Sequence, residues 1–221
     1  MRLVMLCLLP CYLLAAAPAG PARPARPPER PVPVISDDGK PLSDAERMGR
    51  LAREQPLEFV EECLRRYRRD VRTYTLTMTK EERIDGQLHQ PEEIEVAFRE
   101  QPYGVALTWT KGAQRAERAL YVAGQNDDKV LVRPTPRWRL VARLAGKLDK
   151  DGVATIDVDG DDARQSGRFT IKEFGMYQGL ARLFADWKAA GDKSALHVEY
   201  LGEQVVKEAG GRTCYVLRRT R

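Results

Sequence analysis

Histidine is almost missing from this 221-residue chain; His89 and His197 are the only two. Neither has neighbours at the separations by which zinc gathers its three or four ligands, so no metal centre is expected. No Gly-x-Ser-x-Gly elbow occurs, and its nearest look-alike, Gln165-Ser166-Gly167, reads as a turn. Gly-x-Gly-x-x-Gly and Walker patterns are lacking too, so nucleotide binding has no support and no cofactor is expected. Cysteine is sparse. Cys7 and Cys11 lie in an N-terminal leader, which leaves Cys63 and Cys214, too few for a disulfide framework or a cysteine metal cluster. A Cys63–Cys214 bridge and two free thiols both remain open; Cys63 falls on the apolar face of an expected helix, where a free cysteine acts as a small hydrophobe.

An excess of one charge is also lacking: 37 Lys and Arg stand against 32 Asp and Glu, a net +5. This mild surplus is spread along a chain that is 31% charged, which reads as an ordinary solvated surface. No nucleic-acid partner is expected, since that would call for clustered basic residues.

Long apolar runs are confined to Leu3–Ala17, interrupted by Pro10 and shorter than the ~20 residues needed to span a bilayer. Arg2 precedes the run, and Ala17 and Ala19 occupy the −3 and −1 positions before Gly20. This order reads as a secretory signal peptide over residues 1–19, with a retained signal anchor as the rival. Neither Cys7 nor Cys11 sits in a lipoprotein-anchor context. The expected compartment is therefore outside the cytoplasm, the periplasm or cell envelope. Residues 18–34 hold seven of the fourteen prolines, an extended spacer. With the polar stretch that follows, including a loose helix capped by Ser43 over 43–53, residues 20–55 read as a linker and 56–221 as the domain.

Pro56 opens an amphipathic helix with Leu57, Val60, Cys63, Leu64, Tyr67 and Val71 on one stripe. Glu61, Glu62, Arg65, Arg66, Arg68 and Arg69 occupy the solvent face. Period-two strands follow over 73–84, 93–99, 103–110, 119–123 and 129–133, joined by turn residues such as Asp85-Gly86; this pattern argues for an antiparallel meander. Val153–Val158 is a further short strand. A second helix is expected over 171–190, weakened by Gly175 and Gly179, and then strands over 196–201, 203–207 and 213–217. The close of the chain at Arg221, just after an apolar strand, is read as an early end that lacks partner strands.

Asp157, Asp159, Asp161 and Asp162 fail the calcium-loop pattern, because counting from Asp157 puts Gly160 at position 4, Asp162 at position 6 where glycine is required, and Arg168 at position 12 where glutamate is required. Glu82 stands apart: by strand parity it shares the face of Leu76 and Met78, so its charge needs a partner, Arg83 or Arg99, at the sheet rim.

The order Tyr74-x-Leu76, Lys80-Glu81-Glu82-Arg83-Ile84-Asp85-Gly86, Ile94-x-Val96-x-Phe98-Arg99-x-x-Pro102-Tyr103-x-Val105-x-x-x-Trp109, Glu117 and Tyr121-Val122-x-Gly124 resembles a family of secreted bacterial proteins, domain of unknown function 1571, over about residues 56–217. That family is similar to the LolA-like superfamily of periplasmic lipoprotein carriers. The resemblance implies an α+β fold: a curved antiparallel sheet, an incomplete barrel, with helices on its concave face and an apolar cleft that takes acyl chains. It brings no catalytic residues. Leu76, Met78, Phe98, Val105, Leu107 and Trp109 are the expected cleft, with Glu82, Arg83 and Arg99 as its polar rim. The leading expectation is a non-catalytic envelope protein that binds an acyl chain or a lipoprotein and contacts the membrane peripherally. A scaffolding domain with a filled interior is the alternative, and a hydrolase built on Glu82 with Arg83 or Arg99 is the third reading.

Overall fold

A computed structural model describes residues 35, 38–84, 86–167, 169–192 and 196–220. The expected signal peptide and proline-rich spacer lie outside the described residues. The chain adopts an α+β fold: a six-stranded antiparallel sheet, a two-stranded hairpin, a small two-stranded ribbon and five α-helices.

Helix α1 (Ala45–Glu54) is not the loose piece of tether expected. Its Met48, Leu51 and Ala52 are buried in the same cluster as Phe59, Leu64 and Trp187, so the folded domain begins before Pro56. Its N-cap is Asp44, whose carboxylate accepts from the Arg47 N–H at 2.8 Å, and not Ser43. The Ser43 N–H donates to Glu62 Oε1 at 2.6 Å. Helix α2 (Pro56–Asp70) follows with proline at its first position, where a missing N–H costs nothing. Glu62, expected on the solvent face, is 6% exposed because the Ser43 turn folds over it. Arg65, which donates to Glu62 Oε2 and to Asp38 at 2.6 Å, supplies the partner a buried carboxylate needs.

Strand β1 (Thr73–Lys80) sets threonines outward and Tyr74, Leu76 and Met78 inward. A ribbon of β2 (Arg83–Ile84) and β3 (Gln87–Leu88) interrupts the meander, which resumes with β4 (Glu92–Arg99), β5 (Gly104–Lys111), β6 (Ala116–Val122), β7 (Val130–Pro134) and β8 (Ala154–Ile156). The order β1-β4-β5-β6-β7-β8 puts β1 and β8 at opposite edges, with a single bridge from Leu148 to Ala154 at β8, and the sheet is not closed. Register shifts at Glu93/Ile94 and Ala116/Arg118 add local bends.

Helix α3 (Pro136–Leu144) was not foreseen, although Pro136 at its start and Gly146 (φ +65°) just past its end are helix boundary signals. Helix α4 (Asp161–Arg164) is a single turn. The helix expected from Ile171 is split: a 3-10 turn spans Ile171–Glu173, and α5 (Met176–Gly191) starts only after Gly175. Gly175 sits at φ +124°, and a Cβ there would lie 3.2 Å from the Phe98 ring, so the chain breaks where it presses on the sheet. The two strands expected around Gly202 are one, β9 (His197–Val206), which pairs with β10 (Arg212–Thr220). Gly202 (φ +94°) absorbs a register shift between Tyr215 and Leu217, so the strand bulges and does not end.

Candidate functional site

The inward residues of β1, β4, β5 and β6 form ordered rows. Tyr74, Phe98, Val105 and Tyr121 stand abreast, then Leu76, Val96, Leu107 and Ala119, then Met78, Ile94 and Trp109. All six residues of the expected cleft lie on this one face. The first row is sealed. Tyr74 stacks on Phe98 at 4.6 Å, Phe98 meets Tyr103 edge-on at 5.5 Å, and Tyr103 meets Tyr121 at 5.9 Å. Phe98 and Val105 are buried, at 4% and 1% exposure. In the next two rows the central strand is buried at Val96 and Ile94, but Leu76, Leu107, Met78 and Trp109 on either side are only half-buried. The indole N–H of Trp109 is shielded and has no hydrogen-bond partner.

What crosses this face is a strap, residues 157–174, described except at 168. Helices α1, α2 and α5 gather chiefly with the β9–β10 hairpin around Leu64, Ala181 and Trp187 and touch the sheet at Tyr74. The strap leaves β8, buries Val158 against Ala119, Tyr121 and Val130, and reaches the far edge, where Lys80 donates to the Ser166 carbonyl at 2.7 Å. It then returns to set Ile171 and Phe174 on the first row. Its ties to the sheet are largely polar. Tyr103 Oη donates to the carbonyls of Ile171 (2.7 Å) and Phe174 (3.0 Å), Arg115 to Gln165 Oε1 (3.0 Å), and Lys172 Nζ to Asp128.

Asp128 also accepts from Tyr121 Oη at 2.6 Å. Lys172 and then Tyr121 hold its carboxyl down at about 2, below the usual carboxylate range. Asn126, Asp127 and Asp128 all lie at positive φ (53°, 53° and 59°), a run that non-glycine residues rarely adopt and that this anchor holds in place. Burial, followed by the nearby Tyr74 and Glu100, pushes the Tyr103 phenol well above its ordinary pKa, so it stays a donor.

The expected polar rim does not assemble. Glu82 pairs with Lys80 (3.7 Å), which also reaches Glu92 (3.4 Å), and Arg83 donates to the Gly86 carbonyl (2.6 Å). Arg99 lies at the opposite end of β4, its Nε on the Pro102 carbonyl at 3.0 Å. In the β1–β4 register Lys80 faces Glu92 while Thr73 faces Arg99. Seven strand steps of ~3.4 Å therefore separate the two ends by about 24 Å. Parity gave Glu82 the face of Leu76 and Met78 and named an arginine partner, but the pairing is with Lys80, and parity carried no information on which end of the next strand held Arg99. A Glu82–Arg99 acid/base pair is excluded by this separation.

Two of the four acids in the run form ordinary pairs, Asp157 with Lys129 (3.7 Å) and Asp162 with Lys147 (3.4 Å). His89 Nδ1 meets Gln114 Oε1 at 3.2 Å. Both Cys63 and Cys214 are free thiols, and burial pushes the Cys63 thiol up to about 11. Among the described residues no three of His, Cys, Asp and Glu converge on a point, and no helix is long and apolar enough to cross a membrane.

A concave site that sequence reading did not anticipate lies at the other side of the sheet. A cleft of about 290 Å³ between α3, the end of β7 and the turn before β8 is lined by Arg133, Arg139, Arg143, Lys150, Asp151 and Gly152. The signal was present in the sequence: from Lys129 to Leu148 there are six basic residues and no acidic one, a local cluster that the near-balanced total conceals.

The family described as "Protein of unknown function (DUF1571)" matches residues 71–221, from the end of α2 through β10. No curated protein and no solved structure matches the chain.

Proposed function

The chain belongs to the DUF1571 family, and from that premise we propose that it is an exported, non-catalytic binding protein of the cell envelope. It holds an acyl chain, free or carried by a lipoprotein, between the open end of the sheet and the strap. The carrying observation is the asymmetry of the apolar face: an aromatic row is closed by side chains, while Leu76, Met78, Leu107 and Trp109 remain half-buried beside it, and the middle of the strap is held to the sheet by the polar contacts of Lys80 and Arg115. Apolar surface at such an end gains from a hydrocarbon occupant at roughly 25 cal/mol per Å² removed from water. The strap's apolar contacts, Val158 on one side and Ile171 and Phe174 on the other, flank a middle stretch at 165–166 held by polar ties, which can lift while those contacts stay. The sequence resemblance to a family akin to LolA-like carriers, which take acyl chains between sheet and helix, agrees with this reading.

Native mass spectrometry of the purified chain, followed by organic extraction, tests it. The expected result is a copurifying lipid, lost when Leu107→Trp fills the open rows. A chain that carries no lipid, and that takes up no fluorescent fatty acid after delipidation, contradicts the reading.

A further inference from the structure

Helix α3 is turned the opposite way from a helix that helps build a core. At 100° per residue, Leu140, Leu144 and Val141 fall on one arc that also holds Arg137 of the first turn, with Trp138 past its border, and Arg139 and Ala142 fall opposite. The apolar arc faces water: Leu140 is 63%, Val141 52% and Leu144 81% exposed. The inward side carries Arg139, which donates to Glu117 Oε2 (3.0 Å) and the Pro134 carbonyl (3.2 Å). No residue of α3 is buried. Trp138, just past the apolar arc, has the Arg115 guanidinium 4.9 Å from its ring centre. Beside the helix is the cleft described above, whose four basic side chains outnumber its single acid, Asp151.

An apolar face flanked by an excess of arginine and lysine matches one kind of surface, in which hydrocarbon lies just beneath a layer of negative phosphates. A nucleic-acid backbone would satisfy the arginines and leave Leu140, Val141 and Leu144 in water. We propose that α3 is a membrane-docking helix, which lays Leu140, Val141 and Leu144 into an anionic lipid surface while Arg133, Arg143 and Lys150 receive lipid phosphates. Trp138 then sits at the level of the headgroups, the depth that suits an amphipathic ring, and the exposed Arg137 extends its charge along the same plane. Docking through α3 does not depend on the ligand proposed for the sheet, since the two sites share no residue.

The test uses the full chain with vesicles of phosphatidylcholine alone or with three-tenths phosphatidylglycerol, read by flotation and tryptophan emission. Trp109, Trp138 and Trp187 are the three tryptophans, and only Trp138 lies in α3. Binding is expected on the anionic vesicles, weakened by salt, with a blue shift that Trp138→Phe abolishes. At about fivefold per basic residue near an anionic surface, Arg143→Ser with Lys150→Ser lowers partitioning roughly thirtyfold. Leu140→Ser with Leu144→Ser, at exposed positions that leave circular dichroism unchanged, also lowers it. Equal affinity for neutral vesicles overturns the proposal, as do parental binding by both double variants and a blue shift that survives Trp138→Phe. Failure to bind vesicles, with α3-dependent association with DNA, with an acidic peptide or with a second copy of the chain, overturns it in favour of that partner.

Discussion

Removal of one hydroxyl, in Tyr103→Phe, should loosen the strap and leave the sheet intact. The ring itself is fixed by edge-on contacts with Phe98 and Tyr121, which phenylalanine preserves. The hydroxyl proton is shared between the carbonyls of Ile171 and Phe174, both on the strap. A buried neutral hydrogen bond contributes about 1 kcal/mol net, and a carbonyl left without a donor costs about 1–3 kcal/mol. With two carbonyls sharing one donor, a loss of about 1–2 kcal/mol in strap closure is expected, a roughly 5- to 30-fold rise in its open fraction. Hydrogen exchange reads this directly at the amides of Glu173 and Phe174, which close the 3-10 turn, and of Arg164 and Gln165 in α4. These should exchange faster by that factor while β4 and β5 keep their protection, and a fluorescent fatty acid should load faster. Unchanged strap amides would refute the reasoning. So would equal loosening of β4 and β5, because Tyr103 would then be supporting the whole domain and not its cover.

Other consequences follow from single contacts. A Cβ at Gly112 would lie 2.3 Å from the Pro91 carbonyl oxygen at φ +70°, whereas one at Gly124 (φ +74°) meets nothing within 4 Å. Gly124→Ala should therefore cost about 1–2 kcal/mol from backbone strain alone, and Gly112→Ala at least about 1 kcal/mol more, in urea unfolding; equal costs would mean that the β5–β6 turn shifts freely. Asp128 titrates below its unfolded value and Lys172 above its own. The stability from the carboxylate is thus present above about pH 4 and lost as pH falls toward 2, and that from the ammonium is present below its unfolded value near 10.5 and lost as pH rises beyond it. The strap tie should hold across the neutral range in carboxyl-resonance titrations, and release between pH 5 and 8 would contradict the contact. At pH 8 a thiol near 11 is thiolate in only about one molecule in a thousand, so site-resolved iodoacetamide labelling should modify Cys214 promptly and Cys63 only on unfolding. A recovered Cys63–Cys214 disulfide would contradict the free thiols.

The meander was legible because β1 and β4 alternate cleanly and glycine or aspartate marks most of its turns. Thr73–Lys80 and Glu92–Arg99 carry their burial pattern in plain sight, with Ile94, Val96 and Phe98 inward. Local pattern could not place what depends on contacts far along the chain. Glu62 reads as a solvent residue until the Ser43 N–H, nineteen positions earlier, closes over it. The stripe from Phe174 to Trp187 hides the break at Gly175, which is imposed by the Phe98 ring. Half of the candidate site was legible for the same reason: parity puts Leu76, Met78, Leu107 and Trp109 on one face, but their incomplete cover and the distance of Arg99 from Glu82 are properties of the register. Helix α3 escaped notice because its apolar residues do not face a core, so the usual search for a buried stripe passes over Arg-Trp-Arg-Leu-Val-Ala-Arg-Leu.

Photocrosslinking with a diazirine fatty acid most directly tests whether the space under the strap is a ligand site. After irradiation and digestion, adducts should concentrate on Leu76, Met78, Leu107 and Trp109, and disappear when unlabelled fatty acid is added in excess. Adducts scattered over the surface, or confined to the β9–β10 hairpin and α3, would contradict an acyl chain held by the sheet.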